Sequence, residues 1–385
     1  MNPVFAALPT TVFEEMSGLA REHGAANLGQ GFPDDDGPDD VRARAAEAVL
    51  SGNNPYPPMA GLPELREAVA AHYARWQGLD LDPAREVFVT SGATEALTCA
   101  ILGLVRPGDE VVVFQPAYDS YLPMVRLAGG APRLVTLRPP EWRITRDALE
   151  AAFSDRTRLV VFNNPHNPTA RLFDAEERAL IAEFCRRFDA LALTDEVWEH
   201  LTFDRRRFVS LMSEEGMRER TVKVGSAGKI FSLTGWKVGW VCAAPPLAAQ
   251  LLKAHQFFTF ATPPNLQAAV AYGLGKDDAY FAGMRERYGR GRDRLAAGLA
   301  AAGYVVPEAE GTYFLNVDLA ASGVSVDDRT FALRAVKEAG VAVIPLSALC
   351  DSDPVTTTVR LCFAKRDETL DRGIEGMRRA RDLFG

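Results

Sequence analysis

Lysine is scarce in this chain of 385 residues: of 43 basic side chains only seven are lysine (Lys223, Lys229, Lys237, Lys253, Lys276, Lys337 and Lys365), and the other 36 are arginine. Chemistry that needs a neutral amine must draw on that short list, because a guanidinium stays protonated. Cysteine is also sparse. Cys99, Cys185, Cys242, Cys350 and Cys362 are odd in number, widely spaced and form no C-x-x-C pair. That excludes a disulfide framework and a cysteine-based zinc site, so no metal is expected, and a reducing cytoplasm is. Positive charge is not in excess, since the formal net charge is −8. Nucleic acid and anionic membrane surfaces are therefore poor partners. No apolar run approaches the length of a membrane span, and Met1 to Thr10 lacks the charged start of a signal peptide, the first basic residue being Arg21. Neither G-x-G-x-x-G nor a Walker A sequence occurs, nor any internal repeat or low-complexity linker.

What remains is an ordinary globular composition, 47% hydrophobic and 24% charged, at a length that suits two subdomains. Between Glu86 and Cys242 short apolar runs (EVFVT, DEVVVF, PRLVTL, RLVVF, ALALT, TVKVG, WKVGWVC) alternate with helical patterns such as Ala93 to Val105, Asp119 to Leu127 and Asp174 to Phe188. Alternation of this kind implies βαβ crossovers, and continuous rather than alternating apolar runs imply strands buried on both faces. The expected fold class is α/β: a large domain whose mostly parallel sheet is sandwiched by helices, with a smaller α+β domain. Strands near Tyr304 to Val306, Tyr313 to Val317, Val341 to Ile344 and Val359 to Phe363 belong to the latter. Gly29 to Pro58 is loop-rich, interrupted by a helix from Asp39 to Leu50. The expected organisation is an amino-terminal segment, 1–45, joining the small domain, then a large domain, 46–280, and a small carboxyl-terminal domain, 281–385.

Open α/β sheets bind ligands beyond the carboxyl ends of their strands, and four such ends carry polar groups. Ser91-Gly92-Ala93-Thr94-Glu95 opens a helix whose free N–H groups and dipole suit a phosphate, although alone it reads more readily as an ordinary helix cap. Asn163-Asn164-Pro165-His166-Asn167-Pro168-Thr169 is a rigid turn able to aim an amide; it serves equally as a plain turn. Asp195-Glu196 places a carboxylate where burial demands a positive partner, or simply caps a helix. Ser226-Ala227-Gly228-Lys229 has little bulk before a lysine whose desolvation would make it nucleophilic, whereas a lone strand-end lysine is usually a solvated charge. Phosphate turn, amide, carboxylate and amine on successive strand ends are the set that pyridoxal phosphate requires.

The segments GQGFPD, SGATEAL, NNPHNPT, TDEV, SAGKIFSLTGWKVGW and VRLCFAK make the chain resemble class I/II aminotransferases of fold type I. Within them it is most similar to the branch of kynurenine, glutamine and methionine aminotransferases, in the family's order from about Phe13 to Lys365. The resemblance implies that pyridoxal 5′-phosphate is the cofactor, that Lys229 forms its Schiff base and acts as general base and acid, and that Asp195 pairs with the ring nitrogen. It further implies that Asn167 bonds the phenolic oxygen and Tyr118 stacks on the ring. Ala93, Thr94, Ser226 and Lys237 hold the phosphate, with Tyr56 reaching in from the second subunit of a homodimer. Arg360 and Gly31 grip the substrate carboxylate, while Phe13 and Phe260 line the side-chain pocket or merely pack in the core. Lys365 receives no role, and Lys223, Lys253, Lys276 and Lys337 read as surface charges.

One position departs from the family pattern. Where D-E-V-Y is usual, Trp198 follows Val197; an indole donates a hydrogen bond but accepts none. The resemblance implies ping-pong transamination between an amino acid and a 2-oxo acid, with neutral or aromatic donors such as methionine, phenylalanine, glutamine or kynurenine, since no second arginine is assignable to a distal carboxylate. Cysteine-S-conjugate β-lyase activity on the same site is the alternative. A cofactor-binding regulator is disfavoured by the complete catalytic set.

Overall fold

The computed structural model describes residues 2–52 and 54–384; Asn53, in the loop-rich stretch, lies outside them. Seven strands form the main sheet. With β1 (Ala26–Asn27) preceding them, they are β2 (Val87–Ser91), β3 (Glu110–Gln115), β4 (Ala131–Thr136), β5 (Thr157–Asn163), β6 (Leu191–Asp195), β7 (Thr221–Ser226) and β8 (Val238–Ala243). Their spatial order is β2-β8-β7-β6-β5-β3-β4, parallel throughout except for β8, which runs antiparallel between β2 and β7. The sheet is thus mostly parallel, as the alternating pattern implies. β3, β6, β7 and β8 are buried along their whole length, while β4, at an edge, alternates between shielded and solvent-facing residues. An edge strand has only one neighbour, so PRLVTL need not be apolar on both faces.

The helices that cover the sheet start and stop where local chemistry dictates. Ala175–Arg187 opens with a capping box in which Asp174 accepts from Glu177 N and the Glu177 carboxylate accepts from Asp174 N. Pro63–Gln77 begins with proline in its first turn and ends at Gly78, whose φ of 68° is the left-handed value a helix terminus favours.

A second sheet has the order β11 (Ile344–Pro345), β12 (Thr358–Cys362), β9 (Phe314–Asp318), all antiparallel, while β1 pairs in parallel with β10 (Val341–Ala342). The apolar run Val341 to Ile344 therefore splits between two sheets. Tyr304 to Val306 forms no strand but a single bridge from Val305 to Asp318, and Pro307 has no N–H with which to extend it. The amino-terminal segment meets the carboxyl-terminal third through β1, and helix Asp39–Ser51 packs on helix Pro264–Leu274. No described helix is long and apolar enough to cross a membrane.

Candidate active site

Because β8 is antiparallel to both neighbours, the carboxyl ends of β2, β5, β6 and β7 share one edge of the sheet with the amino end of β8. A cavity of about 300 Å³ opens there, roofed by Arg360 of β12, Gly31 and Phe13. Twelve of the sequence-derived candidates line it: Phe13, Gly31, Ala93, Thr94, Tyr118, Asn167, Asp195, Trp198, Ser226, Lys229, Lys237 and Arg360.

At one end lies the turn Gly92–Thr94. Helix Gly92–Leu104 starts here, and its N-cap Ser91 makes no side-chain capping bond, so the ordinary-cap reading does not hold. Gly92 adopts φ +69°, a conformation that favours glycine, and a Cβ there would sit 3.1 Å from Lys237 Cε. Lys237 Nζ donates to Thr94 Oγ1 at 3.1 Å, and burial lowers its pKa. Ser226, whose Oγ accepts from Gly228 N at 3.2 Å, completes a corner of backbone amides, hydroxyls and an ammonium. Gly239 of β8 crosses this turn so closely that a Cβ would fall 2.7 Å from Ala93 N.

Asp195 ends β6 and is almost fully buried. Its Oδ2 accepts from Tyr121 Oη at 2.6 Å, while Oδ1 has no hydrogen-bond partner among the described residues. Burial raises its pKa, opposed by the Tyr121 bond, the Val197 N–H and the charge of Lys229. A buried carboxylate with one oxygen unmatched is costly to the fold, and a ligand N–H bearing positive charge relieves that cost.

The asparagine turn divides its labour. Asn163 donates to the Asp195 carbonyl at 2.8 Å and accepts from Asn167 N at 2.7 Å, and Asn164 accepts from Phe173 N at 3.0 Å. Those two hold the turn, and Asn167 alone faces the cavity, its Oδ1 accepting from Arg360 Nη1 at 2.7 Å. Arg360 is 1% exposed, stacks 3.8 Å from the Phe314 ring centroid and donates to Gly29 O at 3.2 Å. Among the described residues no carboxylate lies within ion-pair distance of it and its Nε has no partner. Burial pulls the guanidinium down to about 10, so it is still charged at neutral pH. A buried, unpaired cation facing a cavity is a binding site for a carboxylate.

Lys229 lies within the short helix Ala227–Ile230 that follows β7. Burial lowers its amine to about 8, and Arg360 and Lys237 push the same way against Asp195. Cys362 adds no opposing charge near neutral pH, because burial raises its thiol. The Nζ lies 4.7 Å from the centroid of the Trp198 ring and 3.0 Å from Tyr313 Oη.

Two candidates lie elsewhere. Tyr56 is 85% exposed and meets Phe260 edge-on at 5.5 Å. Phe260, expected in the side-chain pocket, stands outside the cavity of its own chain, because helix Pro245–Phe258 ends just before it and its φ of +66° turns the ring to the surface. Gln30 and Phe314 also line the cavity, and Tyr121 and Tyr313 bond Asp195 and Lys229 from behind it; none of these was anticipated. The surface reading of Lys223 is also wrong. This side chain is wholly buried, bonded to Glu199 at 2.9 Å and paired with Glu196, because its strand lies in the middle of the sheet. Beside it His72 and His200 share a 2.7 Å Nε2 contact, with burial lowering both pKa values, His72 to about 4.

The residues fit pyridoxal phosphate: the unmatched Asp195 oxygen suits a protonated ring nitrogen, the Gly92–Thr94 corner a phosphate and the Lys229 amine a carbonyl carbon. A family model, "Aminotransferase class I and II", matches residues 24–377. The chain belongs to the class I and II aminotransferases. It is 45% identical over 377 residues to the probable N-succinyldiaminopimelate aminotransferase DapC of Mycobacterium tuberculosis, covering 95% of this chain and 94% of that one. It is 41% identical over 371 residues to the methionine aminotransferase of Escherichia coli, covering 96% of each. The solved N-succinyldiaminopimelate aminotransferase of M. tuberculosis superposes with a TM-score of 0.95 at 44% identity, covering 99% of this chain and all of that one. Aminotransferases of this family use pyridoxal phosphate, and this chain is a pyridoxal-phosphate-dependent aminotransferase of fold type I.

Proposed function

We propose that the enzyme transfers the amino group of a neutral or aromatic L-amino acid, such as methionine, phenylalanine, glutamine or kynurenine, to a 2-oxo acid by ping-pong turnover. The observation that carries this reading is the meeting, in one small cavity with the Lys229 amine, of a buried guanidinium that has no carboxylate and a buried carboxylate oxygen that has no donor among the described residues.

When bound, pyridoxal phosphate supplies an electron sink that acidifies the substrate's Cα–H bond. Arg360 grips the α-carboxylate as a fork while Asn167 and Gly29 fix the guanidinium plane. Asp195 Oδ1 would hold a proton on the ring nitrogen, its other oxygen being held by Tyr121. Lys229, whose amine burial brings down to about 8, would take the Cα proton and return it. Thr94, Ser226 and Lys237 would hold the phosphate, Tyr118 would cover the ring face, and Phe13 and Trp198 would limit water.

Tyr56 and Phe260, paired at the surface, are positioned to serve the site of a second subunit in a homodimer. Five free thiols, four of them buried, suit a cytoplasmic enzyme. A second donor class, N-succinyldiaminopimelate, is favoured by the 45% identity to the M. tuberculosis relative; the cations lining the cavity, Arg360, Lys229 and Lys237, leave none for a distal carboxylate within one chain. A donor and acceptor panel on the purified protein tests these readings. Preference for aspartate over every neutral donor sinks the pocket argument, and pyruvate with ammonia released from a cysteine S-conjugate without an acceptor reveals β-lyase activity. Multiple turnovers at the wild-type rate by Lys229→Ala protein overturn the assignment of the amine.

A further inference from the structure

Trp198 removes the hydroxyl that the family pattern places beside the cofactor, yet the amine of Lys229 does not lack one. Tyr313 Oη lies 3.0 Å from Lys229 Nζ and 2.5 Å from the carbonyl oxygen of Gly31. The two aromatic rings meet edge-on, 4.4 Å between centroids at 87°, and the face of the indole is 4.7 Å from the same Nζ. Tyr313 is fully buried and immediately precedes β9. It is aimed by a local lock: Thr312 has φ +67° and its Oγ1 accepts from Phe314 N at 3.1 Å, while Phe363 N donates to the Tyr313 carbonyl at 3.0 Å.

The direction of these bonds follows from counting protons. A carbonyl only accepts, so the single phenolic hydrogen of Tyr313 goes to Gly31, and only lone pairs are left for Lys229. Tyr313 is therefore an obligate acceptor of one Nζ–H. Burial holds its own ionisation well above 10, so it is neither a phenolate nor a base. The carbonyl it bonds belongs to the backbone that borders Arg360: a Cβ on Gly31 would sit 3.9 Å from Arg360 Nη2, and Gly29 O accepts from that same nitrogen.

We propose that Tyr313 is a positioning residue for Lys229, taking the place of the hydroxyl that Trp198 lacks, and that through Gly31 it ties the orientation of the released amine to the loop beside the carboxylate-binding arginine. This rests on Lys229 being the reacting amine. The other ionisable groups facing Nζ are Asp195 from β6, Arg360 and Cys362 from β12 and Lys237 ahead of β8. The test variants leave all four in place.

Tyr313→Phe keeps the ring and its packing and deletes one oxygen. In cofactor-free protein, trace amine labelling across pH, read at the Lys229 peptide by mass spectrometry, gives the amine's apparent pKa. With only seven lysines the peptides separate cleanly. The wild type is expected at about 8, and Tyr313→Phe about one pH unit lower, as the charged amine loses an acceptor. In the loaded enzyme kcat falls roughly tenfold with KM for the amino donor within about twofold, and Tyr313→Phe combined with Trp198→Tyr regains most of the loss. Trp198→Phe removes the indole and leaves the hydroxyl, so its apparent pKa stays within about half a pH unit of wild type. It serves alone should Tyr313→Phe not fold. An unchanged pKa and kcat in Tyr313→Phe, or a full-unit change in Trp198→Phe, overturns the proposal. Borohydride trapping separates the two layers of the argument: cofactor fixed to Lys229 in Tyr313→Phe keeps the amine's assignment whatever Tyr313 does, and fixation to another lysine removes it.

Discussion

Replacing Arg360 by methionine changes stability and catalysis in opposite directions. Burial lowers the folded-state pKa of this guanidinium from its ordinary value to about 10, which at about 1.4 kcal/mol per pH unit is roughly 3 kcal/mol against the fold. A base with a depressed folded pKa destabilises wherever folded and unfolded chains both carry the proton. That holds at every pH below about 10, and stability returns only as pH rises from there toward the ordinary guanidinium value, outside any working range. Against this, Asn167 Oδ1 and Gly29 O lose a donor, costing about 1 kcal/mol each. The net is about 1 kcal/mol in favour of the variant, which for an unfolding entropy of about 2.1 cal/mol/K per residue raises Tm of the cofactor-free protein by about 1 °C. Catalysis loses a two-pronged charge-assisted contact to the substrate carboxylate, about 1.5–3 kcal/mol per bond, so kcat/KM drops by roughly 10²–10⁴. Differential scanning fluorimetry and steady-state kinetics read the two effects. A Tm lowered by about 3 °C or more, or kcat/KM within about tenfold of wild type, would refute the view of Arg360 as an unpaired charge held for a ligand.

Asp195→Asn has a pH signature of its own. Because the folded pKa of Asp195 is raised, the protonated form stabilises the wild type below the unfolded value near 3.8, and that stability is lost as pH rises through the folded value. Cofactor-free Asp195→Asn is accordingly more stable than wild type at neutral pH, and the difference in Tm shrinks toward acid; a gap that widens on acidification contradicts the burial argument. Gly239→Ala forces a methyl against the Gly92–Ala93 backbone and weakens cofactor retention by tenfold or more, measurable by equilibrium dialysis, since it displaces several phosphate donors together. Lys223→Met leaves Glu196 and Glu199 buried without their cation and lowers stability by about 3–5 kcal/mol in urea unfolding; a change under about 1 kcal/mol means that the pair is protonated or hydrated. Gel filtration with light scattering reports a homodimer, and a monomer with full activity removes Tyr56 from the site.

The sheet was legible because strands buried on both faces must be apolar throughout, which made EVVVF, LVVF and ALALT unambiguous, and the site because polar groups that each have an ordinary structural reading recur together at successive strand ends. Lys229, Asp195 and Asn167 were visible for that reason. Tyr121 and Tyr313 were not: each acts through one hydroxyl on a partner 74 or 84 residues away, and a tyrosine beside an apolar run looks like any core aromatic. Lys223 misled because a lysine's solvation depends on its partners, and Glu196 and Glu199 reach it only once β6 and β7 are side by side. Phe260 stands outside its own chain's cavity for a backbone reason, its left-handed φ being invisible in a sequence that offers no glycine there.

The hairpin-like return from β7 to β8 has a mechanical consequence. Only seven residues separate Lys229 from Lys237, and both ends of that stretch are pinned, one by β7 and the other by β8. The amine proposed to anchor one end of the cofactor and the ammonium proposed to anchor the other thus belong to a single short tether, whose span is set by local chain length. The substrate's carboxylate answers to a different body, the β9-β12-β11 sheet with Arg360 and the amino-terminal backbone. A small rocking of that sheet would therefore act as a lever on the substrate's carboxylate against two fixing points at constant separation, and it would reach the amine through Tyr313 and Gly31.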